Sequence, residues 1–475
     1  MDWDTFIYYF SFLYPTVLLM GIFCAFDVVM KGRTSQGVIA WSLCLILFPF
    51  LTVPFYLVFG GRKYHGYVLA RRKDDSKLKD TCSLLLRQIQ DYVSDGDKAW
   101  KKTLGNIATL PVTGGNKVEL LIDGEAKFKA LFESLENAED YILVQYYMVR
   151  DDSTGQKLKE TLLRKAAAGI RVYFLYDAIG SYELSSKYLK QLGAGGVHVA
   201  QFGSYRFVKN KFQLNFRNHR KIVVVDGKTA FCGGLNIGDE YKGLNPELSP
   251  WRDTHLKISG PGALCVQLVF LEDWFSMVNC EPEKLNWEAC SYGDNELLLL
   301  PTGPADELES CSMAFLTACN SAHEKLWLTS PYFVPSKELA SALEAAAQRG
   351  VDVRVIVPDK ADNMIVQMSS QCFIDSVSRY GVKFYRYKEG FLHEKVMLVD
   401  EQIAVVGTAN LDNRSFSLNF ELMAYLFDRE TVRAVEAMLL EDFKNSERIP
   451  ADEFIKRSFV YQLWAKICSL GAPLQ

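Results

Sequence analysis

Three features of the 475-residue chain predict an α/β protein with two pseudo-symmetric lobes behind an N-terminal transmembrane helical hairpin. Two long stretches near the N-terminus lack charge, as membrane-crossing helices do. Beyond them, strand-like and helix-like segments alternate, the pattern of a layered α/β domain. That alternation occurs twice: Ala168-Gly169-Ile170-Arg171-Val172 and Arg349-Gly350-Val351-Asp352-Val353 fall at matching places, which marks a duplication. The expected division is an anchoring hairpin at 1–65, a linker helix region at 66–110, a first lobe at 111–280, a linker at 281–297, and a second lobe at 298–475 ending in an amphipathic segment.

Composition narrows the class. At 49% hydrophobic residues the chain suits globular domains plus a membrane element and excludes a disordered protein. A net charge of −4 provides no bulk attraction to nucleic acid, so any anion site is local. The 11 cysteines are scattered singly without Cys-x2-Cys spacing, which argues against a disulfide framework and a zinc site and for reduced thiols facing a cytosol.

From Thr5 to Phe26 and from Ser35 to Gly61 there is no charged residue, and each stretch is long enough to span a bilayer. A cleaved signal peptide would need a basic start, whereas this chain opens Met1-Asp2-Trp3-Asp4. Pro15, Pro49 and Pro54 lie inside the spans, which lipid-embedded helices tolerate when neighbours satisfy the freed carbonyls. A re-entrant or interfacial hairpin is the alternative. Lys31 and Arg33 occupy the connection, while Arg62, Lys63, Arg71, Arg72 and Lys73 follow the second span, a bias that places the C-terminal part in the cytoplasm. Lys77 to Lys102 then reads as a helical linker carrying Leu84, Leu85, Ile89 and Tyr92.

In the first lobe, strands are expected at Tyr141–Val149, Arg171–Tyr176 and His198–Phe202, with helices at Ala126–Leu135 and Gly155–Ala168. The second lobe repeats the plan with helices at Asp306–His323 and Lys337–Arg349 and strands at Leu326–Phe333 and Val351–Val357. Between Gly203 and Lys221 five cations (Arg206, Lys209, Lys211, Arg217 and Arg220) alternate with aromatics and no acid. Such a stretch suits single-stranded nucleic acid or an anionic bilayer; next to a membrane hairpin the bilayer is the better fit. Phe454 to Leu474 carries Phe459, Leu463, Trp464 and Ile467 along one stripe, which suits either an interface or a core.

The chemistry concentrates in Phe391 to Glu421. His393 and Lys395 are two residues apart, so on a strand both leave the same face. Asp400 follows the histidine by seven residues, an odd offset and up to about 23 Å along an extended strand. It belongs to the turn, after which Ile403 to Val406 returns and delivers Thr408 and Asn410 beside the histidine. His219, Lys221, Asp226 and Asn236 repeat the spacing, with Asp226-Gly227 as the turn and Gly234 in place of Thr408. By spacing alone both aspartates are structural.

Two imidazoles and two ammonium groups brought to one point suit a phosphodiester: the lysines balance its charge, one imidazole attacks phosphorus, and the other moves the proton. No carboxylate cluster suits a metal, and no cofactor is expected. An attacking imidazole needs a carboxylate behind it. Glu421 and Asp253, each on a later apolar segment of its own lobe, are the candidates.

Two His-x-Lys-x4-Asp motifs, each followed by its asparagine, resemble the phospholipase D superfamily. Within it the segments GTANLDNRSFSLNFE, TSPYFVPSKEL and WRDTHLKISGP and the apolar N-terminal hairpin are similar to those of the bacterial cardiolipin synthases, and the similarity runs along nearly the whole chain. The resemblance implies phospholipase D-like αβα sandwich lobes with the active site between them. It counts His219, Lys221, Asp226, His393, Lys395 and Asp400 as catalytic, and Asn236, Asp253, Asn410 and Glu421 as orienting or substrate-binding. It favours His219 as nucleophile. The implied reaction passes a phosphatidyl group from one phosphatidylglycerol to another, yielding cardiolipin and glycerol, in a multi-pass protein of the bacterial cell membrane that meets anionic lipids rather than nucleic acid. A homo-oligomer is compatible with it. A phosphodiester hydrolase of the same superfamily and an inert membrane scaffold are the alternatives; the intact histidines and lysines argue against the scaffold.

Overall fold

A computed structural model describes residues 3–31, 35–60, 75–94, 98–203, 216–306, 309–360 and 362–472. The chain divides into two compact units, Met1–Leu69 with Gly203–Phe216, and Ala70–Phe202 with Arg217–Gln475. Most of the basic aromatic stretch, residues 204–215, lies outside the described residues.

In the first unit, Trp3–Lys31 is one helix, of which Leu13–Met30 has the length and composition of a membrane span. The second expected span is not one helix but two, Ser35–Leu47 and Pro49–Phe59. Phe48 leaves the helical region at φ −130° and ψ 53°, because the ring of Pro49 disfavours an α conformation in the residue before it. Each piece is shorter than the roughly 20 residues a spanning helix needs. Both pieces nevertheless pack on the first helix, burying Leu45, Val53 and Tyr56 against Cys24, Ala25 and Val28, and the Tyr56 hydroxyl donates to Asp27 Oδ2 at 2.7 Å.

In the second unit, the linker region is broken into Asp75–Gln88 and Ala99–Ile107 with a single 3-10 turn at Gln90–Tyr92. Among the described residues a 16-stranded sheet runs through both lobes. In the first lobe its strand order is Thr113–Ile122, Thr254–Ser259, Thr229–Gly233, Ile222–Val225, Tyr141–Tyr146, Arg171–Asp177, His198–Phe202. In the second it is Asn295–Thr302, Asn419–Leu426, Ile403–Gly407, Val396–Val399, Lys325–Thr329, Asp352–Pro358, Lys383–Tyr387, with Ser446–Arg448 added at the edge. The two orders are the same. They join where Thr113–Ile122 pairs antiparallel with Asn295–Thr302, so the two cores lie side by side in one continuous layer.

The helices start where the sequence supplies a cap. Asp152, Ser185, Ser336 and Asp428 each accept a bond from the backbone N–H three residues on. Pro261–Val278 is apolar enough to cross a membrane, yet it is mostly buried and packs beneath the first-lobe strands as a core helix.

Candidate active site

Neither histidine sits in the main sheet. His219 to Lys221 and His393 to Lys395 are extended bridging segments, each between a two-residue strand and the four-residue strand of its own lobe. The expectation of one continuous strand is corrected accordingly. The two-residue strands cross to the other lobe: Arg217–Asn218 pairs in parallel with Asn419 and Phe420, and Phe391–Leu392 pairs in parallel with Trp251–Arg252. The backbone N–H of His219 then donates to Phe420 O at 2.9 Å, and that of His393 to Arg252 O at 2.8 Å. The next residue on each borrowed strand is a carboxylate, Glu421 or Asp253.

This register crosses the pairs. His219 Nδ1 lies 2.9 Å from Glu421 Oε2, and His393 Nδ1 lies 2.7 Å from Asp253 Oδ2; each carboxylate serves the histidine of the opposite lobe. Asn419 Nδ2 donates to Glu421 Oε1 at 3.1 Å, and the Thr254 N–H donates to Asp253 Oδ1 at 2.8 Å. Lys221 Nζ donates to His219 O at 2.6 Å, and Lys395 Nζ likewise donates to His393 O. Lys395 Nζ is also 2.9 Å from His393 Nδ1. One ring nitrogen cannot accept from the lysine while donating to Asp253, and the shorter contact to an ionised carboxylate keeps the proton on Nδ1.

Burial sets the charge states. It lowers His219 to about 4 against the opposing pull of Glu421, and it lowers His393 with help from the Lys395 charge. Burial alone would raise Glu421, but the bond and charge of His219 and the Lys221 ammonium hold it down to about 2. Asp253 is likewise held low by Lys395 and His393 against its burial. Both lysines are driven down by burial, Lys221 to about 7 and Lys395 to about 8, with Glu421 and Asp253 in turn the main opposing charges. At rest the arrangement is two neutral imidazoles whose Nδ1–H groups face carboxylates, leaving each Nε2 with its lone pair.

Both histidines line one cavity of about 650 Å³, together with Asn236, Asn410 and the cations Arg150, Arg217 and Arg414. Asn236 Oδ1 accepts from the Met148 N–H at 3.2 Å, and its amide donates to the Tyr241 hydroxyl at 3.1 Å. Asn410 Oδ1 is buried without a hydrogen-bond partner. Thr408 does return toward this region, but its hydroxyl accepts from the Leu422 N–H at 2.9 Å and braces the strand carrying Glu421. At Gly234 a Cβ would overlap the Asp253 carboxylate, which explains glycine in the first half where the second has threonine.

Asp226 and Asp400, counted with the reacting residues, lie at the far ends of the strands Ile222–Val225 and Val396–Val399. Both adopt positive φ, 54° and 51°. Asp226 accepts from the backbone N–H groups of Glu139, Asp140 and Tyr141 at 2.8–2.9 Å, and Asp400 from those of His323, Glu324 and Lys325 at 2.8–3.0 Å. They pin the entry of a neighbouring strand to the hairpin turn.

Sequence reasoning missed the aromatic walls. Tyr147 stands edge-on to His219 at 5.0 Å, and Trp251 lies 5.0 Å from His393. It also misassigned Arg220, placed in the basic surface stretch: the guanidinium is buried and bonded to Asp273 at 2.8 Å. The signal was available in its position between His219 and Lys221, which ties it to the motif. No group of three or more His, Cys, Asp or Glu among the described residues is placed to hold a metal ion.

A family model described as "Cardiolipin synthase, PLD-like domain" matches residues 131–251 and 315–443, and one described as "Phospholipase_D-nuclease N-terminal" matches 19–61. The chain is 42% identical to cardiolipin synthase A of Pseudomonas putida over 480 aligned positions, covering 98% of each. It is 41% identical to cardiolipin synthase A of Pseudomonas aeruginosa (strain LESB58), covering 98% of this chain and 96% of the other. The crystal structure of phosphatidylserine synthase from Haemophilus influenzae Rd KW20 superposes with TM-score 0.62 at 16% identity, covering 79% of this chain and 100% of that one, a likeness of fold. By the family model and the near full-length identity, the chain belongs to the cardiolipin synthase family of phospholipase D-like proteins.

Proposed function

We propose that the protein is a cardiolipin synthase that moves a phosphatidyl group from one phosphatidylglycerol to the terminal hydroxyl of another, releasing glycerol. The observation that carries this reading is the pair of imidazoles on one cavity, each with Nδ1 held by a carboxylate of the opposite lobe and each beside a buried lysine. His219 Nε2 attacks phosphorus and forms a P–N bond, while Glu421 takes up the charge that develops on the ring. His393 takes up a proton at Nε2 as the anionic phosphodiester enters the cavity; the P–O bond to glycerol then breaks, and His393 gives that proton to the leaving oxygen. The hydroxyl of the second lipid then gives its proton to His393 and displaces His219 from phosphorus. Lys221 and Lys395 offset the charge on the non-bridging oxygens throughout. Asn236 and Asn410 contact the substrate from the cavity wall, and Asp226 and Asp400 hold the scaffold.

Transfer and hydrolysis share the phosphohistidine and differ in which nucleophile reaches it. Water is at roughly 55 M in bulk, so transfer depends on excluding water and positioning a lipid alcohol. Confinement to the membrane supports this by holding enzyme, donor and acceptor on one surface. We place the protein as multi-pass with its catalytic lobes on the cytoplasmic side, following the cations after the second apolar stretch.

The purified enzyme given phosphatidylglycerol alone is expected to make cardiolipin and free glycerol in equal amounts, and excess glycerol is expected to reverse the reaction. Phosphatidic acid as the main product, or oligonucleotides cut faster than lipid is consumed, would transfer the assignment to a hydrolase.

A further inference from the structure

The helix Phe459–Ser469 has one committed side. Ala465 and Cys468 are buried with Met368 and Phe454, and Tyr461 and Cys372 pack on that cluster, so the helix is fixed against Met364–Ser378. Its other side is apolar and uncovered: Phe459, Val460, Leu463, Trp464, Ile467 and Leu470 are all exposed, Leu470 at 80% and Phe459 at 77%. An exposed apolar face of this extent marks an interaction surface. On the helix that Phe459–Ser469 packs against, Met364–Ser378, Met364 and Ile365 in the first turn are also exposed, at 66% and 56%. Ile365 and its neighbour Val366 also line the cavity that holds His219 and His393. At the helix's far end, Asn413 Nδ2 donates to Ala472 O at 3.0 Å, tying this surface to the helix Asn413–Ser417 that carries the cavity residue Arg414.

We propose that this face seats the catalytic lobes on the lipid bilayer, with the rim of the cavity at headgroup level, so that substrate passes from the membrane into the site without crossing water. This rests on the reading that the substrate is a bilayer lipid. Three observations commit the occupant to lipid. The helix packs on Met364–Ser378, whose first turn carries the exposed cavity-lining residue Ile365, so the apolar face and the cavity share one helix pair. From Ser458 to the C-terminus the sequence has no acidic residue and one cation, Lys466, as suits an anionic surface. Trp464 in the middle of the face is the residue type favoured at the membrane–water boundary, and a helix of this kind lies with its apolar side roughly 5–10 Å into that boundary.

The test uses full-length protein in phosphatidylglycerol vesicles and, separately, with short-chain phosphatidylglycerol dispersed as monomers. Trp464→Glu and Leu470→Glu are expected to lower turnover roughly tenfold or more on vesicles and to leave turnover on monomers within about twofold, while Trp464→Phe restores the vesicle rate. Equal loss on both substrates, or no loss on vesicles, overturns the proposal. So does a shift in particle mass in detergent with an unchanged vesicle-to-monomer ratio, which would assign the face to a second copy. Independently of turnover, a diazirine-bearing lipid in the vesicles should label the peptide containing Phe459 to Leu470. Absence of labelling would refute the docking face even if cardiolipin is made, and labelling without cardiolipin would refute the reaction instead.

Discussion

The two halves of the site have the same backbone and different electrostatics. Between the histidine and the lysine, the first half carries Arg220 and the second carries Glu394, both buried. Arg220 bonds both oxygens of Asp273 at 2.8 and 2.9 Å and donates through Nε to the backbone oxygen of Glu421 at 3.0 Å. The ion pair holds Arg220 on the core helix Pro261–Val278, and its Nε bond ties the first motif to the strand that carries Glu421. Glu394 instead shares Arg252 with Asp442, at 3.2 and 2.7 Å. Burial, then the Asp442 charge, pushes Glu394 up to about 8, which favours its protonated form. The difference extends to the orienting groups: a longer Glu421 is braced by Thr408, and a shorter Asp253 closes against Gly234. The repeat keeps the imidazoles and lysines in matching places while the charges beneath them differ, an asymmetry that would let two like groups take the different proton tasks proposed above.

Removing either imidazole is expected to have the largest effect, on the order of 10⁴-fold or more in turnover for His219→Ala and for His393→Ala. The two should part in a single-turnover trap with labelled phosphatidylglycerol: a phosphoenzyme forms in His393→Ala and not in His219→Ala. The opposite result would exchange the two roles and leave the shared site intact. Substantial turnover in either variant would break it.

Next come the crossed carboxylates. Glu421→Gln should slow formation of the phosphoenzyme, the His219 step, and Asp253→Asn should slow the proton transfers of His393, each by about 10²–10⁴-fold. If Glu421→Gln behaves as a His393 defect, the cross-lobe pairing does not operate in solution.

The residues between histidine and lysine offer a stability comparison. Arg220→Met leaves Asp273 buried without its cation and should cost about 3–5 kcal/mol of unfolding free energy. Glu394→Gln, which keeps a neutral hydrogen-bonding group where burial disfavours the carboxylate, should stay within about 1 kcal/mol. Equal losses would show that Glu394 is ionised. Smaller and symmetric, Asp226→Asn and Asp400→Asn should each lose about 1–3 kcal/mol through weakened backbone acceptance, with turnover nearly retained. An inactive Asp400→Asn of unchanged melting, beside an active Glu421→Gln, would return the aspartate to the chemistry.

The mildest expected effect is in pH. Lys221 falls from 10.5 to about 7 and Lys395 from 10.5 to about 8, so their ammonium forms, and with them activity, should decline as pH rises through 7–8. Stability should move the other way. Between those values and 10.5 the unfolded chain binds more protons than the folded one, so unfolding free energy rises with pH across that window. Paired rate and melting profiles from pH 6 to 10 check both signs; Lys221→Arg should raise its part of the alkaline limb.

Local chemistry was readable along the chain. His219 with Lys221 and His393 with Lys395 declare themselves by spacing, Asp226 and Asp400 by the turns they occupy, and the doubled α/β order by repeating phrases, because each depends on neighbours within a few residues. The break at Phe48 was also local, written in Pro49, yet lipid tolerance of proline argued for a continuous helix. What tertiary structure alone decided is which groups meet. Glu421 lies 202 residues from His219 and Asp253 lies 140 from His393. Their pairing follows from two-residue parallel ladders between lobes, too short to leave any periodicity in sequence. The position of Arg220 inside the motif was legible, but its partner Asp273, 53 residues on at hydrogen-bonding distance, was not. Charge states were hidden for the same reason: burial, a property of the whole fold, moves His219 to about 4 and Lys221 to about 7, and no residue carries its own dielectric.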